Sequence, residues 1–183
     1  MQSRTPPGAE PGSPRAELDS RLSAELASVV AGARRRAVRD GDRQIDTAHL
    51  LHSLLESDPA VRAAFEDGGQ VVRLLGYLVQ RSIGYGLQWQ GTVEDSGAVP
   101  MVTAVKEAGW SPAAATAMEM ALDRAELRGD PRVLGMDLLA GLAADPECRA
   151  VEVLGRAGVD VPNLLVRVEA GCQEYAGGYG TGC

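Results

Sequence analysis

The chain has 183 residues, of which 45% are hydrophobic and only 4% aromatic, and its formal net charge is −7. This length supports one domain with a full core or two small ones, and the scarcity of aromatic residues indicates an aliphatic core that suits helix-on-helix packing. The negative charge argues against a nucleic-acid partner, because nucleic-acid-binding proteins need an excess of positive charge to neutralise phosphates.

Targeting and cysteine signals predict a soluble, cytoplasmic protein. No apolar run approaches the ~20 residues of a membrane span, and the N-terminus does not have the pattern of a signal peptide. The three cysteines, Cys148, Cys172 and Cys183, form neither a CxxC pair nor a Cys/His cluster. We therefore expect reduced thiols, no membrane contact, and no bound metal or cofactor.

The first half of the chain predicts four helices. Residues 1–17 are rich in Pro and Gly and predict a disordered tail. Apolar residues then recur every three to four positions over Leu18–Arg39, which predicts one helix that Gly41 ends. Asp46 or Thr47 is the expected cap of the second helix, and Asp58-Pro59 starts the third, which has Phe65 as its core anchor. Gly68-Gly69 predicts a break before a fourth helix. The residues of this fourth helix that are expected to face the core are Val71, Leu74, Leu75 and Leu78.

The second half repeats this order after a linker. Residues 84–109 contain many glycines and no sustained helical period, so we expect a linker between two units. Ser111 and Pro112 have the residue types of a cap and a first helical position, and Trp110 lies where a hydrophobic staple belongs. The other predicted boundaries are Gly129 at the end of that helix, Gly135–Ala143 for the second helix, Asp145-Pro146 at the start of the third, Gly158 at its end, Asp160 with Pro162 at the start of the fourth, and a flexible tail over 172–183.

One stretch occurs twice, 88 residues apart. Gly41–Leu54 aligns with Gly129–Leu142: the Gly-Asp pair, an aliphatic residue and a Leu-Leu pair recur in the same order. Internal repetition of this kind indicates one supersecondary unit used twice. The fold class predicted is all-α, with two pseudo-symmetric four-helix repeats, 18–83 and 110–171, giving eight helices that bury each other's apolar faces.

The repeat resembles the Clp N-terminal domain family, the paired four-helix repeats at the front of Clp-type protein-unfolding ATPases. The first copy carries Ile45-Asp46-Thr47-Ala48-His49-Leu50-Leu51, similar to the family's Thr-Glu-His-Leu-Leu motif. The second carries Leu138-Leu139 and Leu154-Gly155-Arg156-Ala157-Gly158-Val159-Asp160. No phosphate-binding Gly-rich loop with Lys is present, and Lys106 is the only Lys, so we expect a stand-alone relative that lacks the ATPase modules.

The resemblance implies a non-catalytic module that binds proteins or peptides, as an adaptor or accessory factor of a Clp chaperone–protease system in protein quality control. The alternative is a decoy that sequesters Clp-targeting peptides. The family's motif Glu, which is associated with gripping phosphorylated arginine, is replaced by Ala48 and Met136, and neither can pair with a cation. The candidate ligand-binding residues are Asp46, Thr47, Ala48, His49, Gly135, Met136 and Asp137.

The residues offer three other interpretations: a metal site, a hydrolase and a nucleic-acid-binding face. His49 and His52 share a helix face and would need a third ligand such as Asp46 to hold a metal, so a structural role is favoured. Ser53 follows His52, but adjacent helical side chains point apart, and this argues against a hydrolase. The arginines of 34–39 favour a solvated helix end that complements the helix dipole, with a regulatory nucleic-acid-binding face as the less favoured alternative.

Overall fold

A computed structural model describes residues 12–83, 94 and 109–177. Over these residues it is all-α without a β-strand, as the sequence predicts. The helices of these ranges are α1 (Pro14–Arg21), α2 (Ala24–Asp40), α3 (Thr47–Ser57), α4 (Pro59–Ala63), α5 (Gly68–Ser82), α6 (Pro112–Arg128), α7 (Gly135–Ala144), α8 (Arg149–Arg156) and α9 (Val161–Gly177). None of them is both long and apolar enough to span a membrane.

The prediction of a single helix over Leu18–Arg39 is wrong, because the helix is interrupted at Leu22. Leu22 is extended and fully buried, and the Ser23 hydroxyl begins α2 by accepting a hydrogen bond from the Leu26 amide at 3.1 Å. The apolar period runs through the break because both helices direct their Leu side chains into the same core. The 88-residue offset places Ser23 opposite Ser111, so the repeat itself contained the signal for this cap.

Four other predicted boundaries differ from the structure. The helix α1 begins at Pro14, inside the segment expected to be disordered, and α9 extends to Gly177, inside the expected flexible tail. Gly68-Gly69 does not break the chain but opens α5 behind the cap Asp67. Asp145-Pro146 lies in a turn, and α8 starts at Arg149. The rest of both predicted tails lies outside the described residues. The same holds for the predicted linker 84–109, except for Glu94 and Gly109.

The α8 start has an identifiable cause. The Asp145 carboxylate accepts the Glu147 amide at 3.0 Å, which holds a turn at the end of α7. The Cys148 thiol then caps α8 by accepting the Val151 amide at 3.5 Å and donates to the Leu142 carbonyl at 3.2 Å. Cysteine is not among the usual capping residues, so the sequence pattern favoured the preceding Asp-Pro pair.

The other sequence-assigned caps lie as expected. Asp46, Asp58 and Ser111 begin α3, α4 and α6 through side-chain bonds to backbone amides. Gly41 and Gly129 end α2 and α6 in the left-handed conformation, with φ of 75° and 72°, which a residue with a Cβ rarely adopts. The second helix of the second repeat runs over Gly135–Ala144, as predicted to within one residue.

The two repeats exchange backbone contacts in two places. The segment before α2 pairs with the segment before α7: the Ser23 amide donates to the Val133 carbonyl at 3.0 Å, and the Val133 amide donates to the Arg21 carbonyl at 2.9 Å. The segment before α6 pairs in the same way with the segment before α3, where the Ser111 amide donates to the Ile45 carbonyl at 2.8 Å. Each repeat therefore supplies hydrogen-bond partners for backbone groups of the other.

The hydrophobic core is continuous across both repeats. It includes Leu51 and Leu54 of α3 together with Leu139 and Leu142 of α7, all fully buried. The helix α3 contacts α6, α7 and α8, α4 contacts α7, and α5 contacts α8, so the first repeat packs against the second through these three helices. Trp110 is also fully buried at the junction, consistent with its predicted anchoring role.

Candidate functional site

The seven candidate ligand-binding residues lie in the N-terminal regions of α3 and α7, below the molecular surface. All seven are buried: Met136 is 8% exposed, and Ala48 and Asp137 have no exposed area. As placed, these side chains shape and charge the region from within, and direct contact with a ligand stays a prediction. The complete set is Asp46, Thr47, Ala48 and His49 in the first repeat and Gly135, Met136 and Asp137 in the second.

Asp46 is both the α3 cap and the centre of a buried ion-pair network. One carboxylate oxygen accepts the His49 amide at 2.8 Å. The other accepts Arg149 Nη1 of α8 at 2.7 Å and also pairs with Arg81 of α5. Burial opposes ionisation of this carboxyl, but the hydrogen bond and charge of His49 and the charge of Arg81 hold its pKa below the usual range. The Arg149 contact ties the first repeat to the second.

Thr47 belongs to a second polar cluster, built around the carboxylate of Glu94. This carboxylate is 5% exposed and accepts the Thr47 amide at 2.9 Å, the Ser111 hydroxyl at 3.0 Å and the Arg149 amide at 2.7 Å, in addition to a contact with the Thr47 hydroxyl. The donors include amides at the N-termini of α3 and α8, where unpaired N–H groups and the helix dipoles favour an anion. Glu94 thus occupies a site that is suited to a carboxylate.

His49 faces three aspartates. Its Nδ1 lies 2.9 Å from an Asp46 oxygen, and its Nε2 lies 3.2 Å from Asp42 and 3.6 Å from Asp40. His52 does not join it, because the His52 Nε2 is directed to Glu56 at 3.2 Å. The two histidines therefore do not form a shared site, and Asp46 is not the third ligand of a pair.

The equivalent position in the second repeat carries a different charge arrangement. Asp137, which corresponds to His49, accepts two bonds from the Arg128 guanidinium at 2.6 and 2.8 Å and a third from the Leu134 amide at 2.9 Å. The Asp137 carboxylate raises the pKa of Arg128. This bidentate pair lies entirely within the second repeat.

Gly135 and Met136 define close contacts around α7. A Cβ at Gly135 would overlap the Asp58 carboxylate and lie 3.3 Å from Leu54, so only Gly fits against the first repeat here. The end of the Met136 side chain packs toward Gly171 of α9. Ala48 is enclosed on all sides. Neither Ala48 nor Met136 supplies a charge where the family motif has Glu.

The arginine-rich end of α2 lines a shallow groove of about 280 Å³ against α3. Arg35 and Arg39 are exposed there, whereas Arg36 is paired with Glu56. Ser53 lines the same groove and makes no hydrogen bond to His52 within the described part of the chain. Burial and the charge of Arg36 lower the pKa of His52 to about 4, so His52 is neutral near pH 7.

Comparison with solved structures identifies the fold. The N-terminal domain of ClpD, a caseinolytic-protease-associated chaperone from Arabidopsis thaliana, matches with a TM-score of 0.57 and 15% identity, covering 84% of this chain and 95% of that one. The Hsp104 N-terminal domain from Candida albicans matches with a TM-score of 0.58 and 13% identity, over 80% and 88% of the two chains. This chain has the fold of a Clp N-terminal domain.

A third structure with the same fold was solved in work on a malarial protein secretion system. It matches with a TM-score of 0.58 and 15% identity, over 82% of this chain and 93% of that one. No protein-family model matches the sequence, and no curated protein matches it. The comparisons therefore confirm the Clp N-terminal domain fold that the duplicated motif predicted.

Three polar residues of this Clp-type fold were missed by the sequence analysis. Arg81 and Arg149 neutralise Asp46, and Glu94 satisfies the α3 and α8 N-termini. Each comes from a segment distant in sequence from the motif, so no local pattern connects them. A buried acidic cap does predict a basic partner, but only the folded chain shows which of the arginines supplies it.

Proposed function

We propose that this chain is a non-catalytic module that binds protein or peptide partners as an adaptor or accessory factor of a Clp chaperone–protease system in the cytoplasm. The observation that carries this proposal is the Clp N-terminal domain fold, shared over most of the chain with domains of ClpD and Hsp104. In this role the chain presents a fixed surface to its protein or peptide partners.

The electrostatic arrangement supports a binding role over catalysis. The acidic groups of the motif are engaged in helix capping and ion pairs: Asp46 with Arg149 and Arg81, and Asp137 with Arg128. Cys148 is buried, and burial raises its pKa to about 11, so its thiol is protonated and poorly nucleophilic near neutral pH. These groups hold the two repeats in one shape, as a preorganised binding surface requires.

Exposed aliphatic side chains offer a way to locate the partner surface. Val72 on α5 is 70% exposed and Leu127 near the end of α6 is 89% exposed. Charged substitutions at such positions leave the core intact, because the side chains already face solvent. Because interface binding energy concentrates at apolar contacts that binding buries, Val72→Asp and Leu127→Asp test separately whether either position contacts the partner.

The direct experiment is a pull-down with the purified chain as bait, offered a Clp unfoldase and an unfolded model client. We expect capture of one of them, with a loss of at least tenfold for either Val72→Asp or Leu127→Asp and no change for the other. If the unmodified chain is folded by circular dichroism but captures neither the Clp unfoldase nor the client, the result contradicts the adaptor role.

The same preparation tests ligand chemistry. Because Ala48 and Met136 hold no charge, we expect the chain to bind arginine-phosphorylated and unphosphorylated client with affinities within about threefold of each other. A strong preference for the phosphorylated client would show that other residues have taken over the role of the family's Glu. Binding of Clp-targeting cyclic peptides without binding of any Clp component would instead favour the decoy function.

A further inference from the structure

Two carboxylates and an imidazole converge where α2 ends and α3 begins. Asp40 is the last residue of α2, Asp42 follows the left-handed Gly41, and His49 lies in the first turn of α3. One donor atom from each of the three residues lies within 4.8 Å of the other two. The His49 Nε2 is 3.2 Å from the Asp42 oxygen and 3.6 Å from the Asp40 oxygen.

The imidazole of His49 is buried and directed into this cluster. Its side chain is 1% exposed, and within the described residues its Nε2 makes no hydrogen bond. On its other side, Nδ1 accepts the Asp46 backbone amide at 3.1 Å and lies 2.9 Å from an Asp46 carboxylate oxygen. A bound metal requires Nε2 without its proton, so the ring proton would move to Nδ1 and be donated to the Asp46 carboxylate in place of the amide bond, which is the arrangement that orients metal-binding histidines.

The repeat relationship shows what the cluster lacks. The residues equivalent to Asp40, Asp42 and His49 are Arg128, Asp130 and Asp137. There the Arg128 guanidinium lies between two carboxylates, 2.6 Å from Asp137 and 3.6 Å from Asp130. The second repeat therefore carries its own cation between its acidic groups, whereas the first repeat has an acid, Asp40, at the position of that cation.

Neighbouring positive groups compensate the first cluster only in part. Arg81 Nη2 lies 3.2 Å from Asp42 but also pairs with Asp46, and Arg149 pairs with Asp46. Asp40 accepts a hydrogen bond from the neutral Ser82 hydroxyl at 3.2 Å, and Arg39, 3.5 Å away, is largely exposed to solvent. A cation at the centre of the three donors would supply the charge that Arg128 supplies in the second repeat.

We propose that Asp40, Asp42 and His49 form a binding site for a first-row divalent cation of the Zn²⁺ class, with Asp46 orienting the imidazole. Donor separations of about 3.4 Å are expected for tetrahedral Zn²⁺ with bonds of about 2.0–2.1 Å, and the His49 Nε2 lies 3.2 Å from Asp42 and 3.6 Å from Asp40. An imidazole donor disfavours Ca²⁺ and Mg²⁺, which prefer oxygen ligands. A water molecule would complete the coordination, and Arg81 would keep its contact with Asp46.

The test is calorimetric titration of the chelator-treated full chain with ZnCl₂ and, separately, with MgCl₂. It is performed in a Cys183→Ser background so that an extra thiol does not contribute. We expect one Zn²⁺ per chain, a higher melting temperature with Zn²⁺, and no measurable Mg²⁺ binding. Asp42→Asn and His49→Gln should each weaken Zn²⁺ binding at least tenfold, whereas Asp130→Asn, the equivalent change in the second repeat, should leave it unchanged.

Other results would overturn the site. They are absence of stoichiometric Zn²⁺ binding, binding that survives Asp42→Asn, or an equal loss with Asp130→Asn. His49 also bonds to the α3 cap, so His49→Gln can destabilise the fold. Asp42 does not cap a helix, and its variant gives a clear result on a folded chain. This inference stands independently of the proposed adaptor role, since Zn²⁺ affinity is measured without any partner.

Discussion

The two repeats place one backbone motif in two different electrostatic settings. In the second repeat the Asp137 carboxylate is neutralised by Arg128 of the preceding helix, within the same unit. In the first repeat the Asp46 carboxylate is neutralised by Arg81 and by Arg149, the latter from the other repeat. Asp137 is therefore neutralised within its own repeat, whereas Asp46 depends in part on an arginine of the other repeat.

The helix contacts of the two repeats differ as well. Ser53 and Gly141 are equivalent positions, and they face α2 and α6, respectively. A Cβ at Gly141 would overlap the Ala117 carbonyl and lie 3.2 Å from its Cα, so α7 approaches α6 closely. Ala is frequent on the buried face of α6, and it permits that approach. A duplicated sequence thus gives the same helices with a tighter contact in one copy.

The largest expected effects come from placing a charge in the shared core. Leu51→Asp in α3 and Leu139→Asp in α7 should each cost on the order of 5 kcal/mol, because both side chains are fully buried and an unpaired carboxylate there has no partner. Urea denaturation measures both free energies of unfolding. Unchanged midpoints for both would show that these helix faces do not form a common core.

Removing one acid from each network compares the two repeats directly. Asp46→Asn and Asp137→Asn should each cost about 3–5 kcal/mol, because each substitution removes the nearest carboxylate partner of a largely buried arginine. A double-mutant cycle with Arg149→Met should give a coupling of about 1–3 kcal/mol for Asp46. The same cycle between Asp137 and Arg149 should give a coupling of about zero. Equal couplings would contradict the conclusion that Arg149 neutralises Asp46 and not Asp137.

Glycine substitutions test the difference in helix approach. Gly141→Ala should cost about 2–3 kcal/mol, because its new Cβ meets backbone atoms of α6 that cannot move independently. Gly32→Ala in α2 meets the Ser53 hydroxyl at 3.2 Å, which can rotate away. Since Ala also favours the helix by up to about 1 kcal/mol, Gly32→Ala should be near neutral. Thermal melts of the two variants against the unmodified chain decide the comparison.

The smallest expected effect is a pH dependence confined to the first repeat. His52 has a pKa lowered to about 4 by burial and by Arg36, with Glu56, Arg39 and Asp40 also facing it. Its equivalent is Ala140, which does not titrate. In the unfolded chain the imidazole has its ordinary pKa of about 6.5, so the unfolded state binds more protons between these values and the stability falls as the pH falls from 6.5 toward 4.

The measurement compares unfolding free energies at pH 7 and pH 5. His52 should account for about 1–2 kcal/mol of the decrease, and His52→Asn should remove that part. An identical decrease in the variant would assign the pH dependence to other groups, and Asp46 is not one of them because it titrates below this pH range. With its lowered pKa, Asp46 contributes stability that is present above about pH 4 and is lost at still lower pH.

The sequence predicted the features that recur locally. The 88-residue repeat, the caps Asp46, Asp58 and Ser111, and the left-handed Gly41 and Gly129 follow from short-range rules on helix ends. The split at Leu22 was missed because the apolar period continues through it, although Ser23 aligns with the cap Ser111, and because Leu22 pairs with Val133 of the other repeat. Contacts between the repeats cannot be read from either copy alone.

The candidate site was predicted in position but not in composition. Asp46 and Asp137 do lie at the N-termini of the motif helices, yet their guanidinium partners come from Arg81, Arg149 and Arg128. The Asp40, Asp42 and His49 cluster forms because Gly41 reverses the chain and brings residues on both sides of it toward α3. Spacing rules for metal ligands on one helix do not detect such a cluster.

The central claim is that two interleaved repeats form one cooperative body. Hydrogen exchange of backbone amides in α3 and α7 under native conditions tests it most directly, because exchange from each helix reports the free energy of the opening that exposes it. The account predicts that the slowest amides of both helices exchange with the same free energy, equal to that of global unfolding. Protection in α7 that persists while α3 exchanges through a lower-energy opening would contradict it.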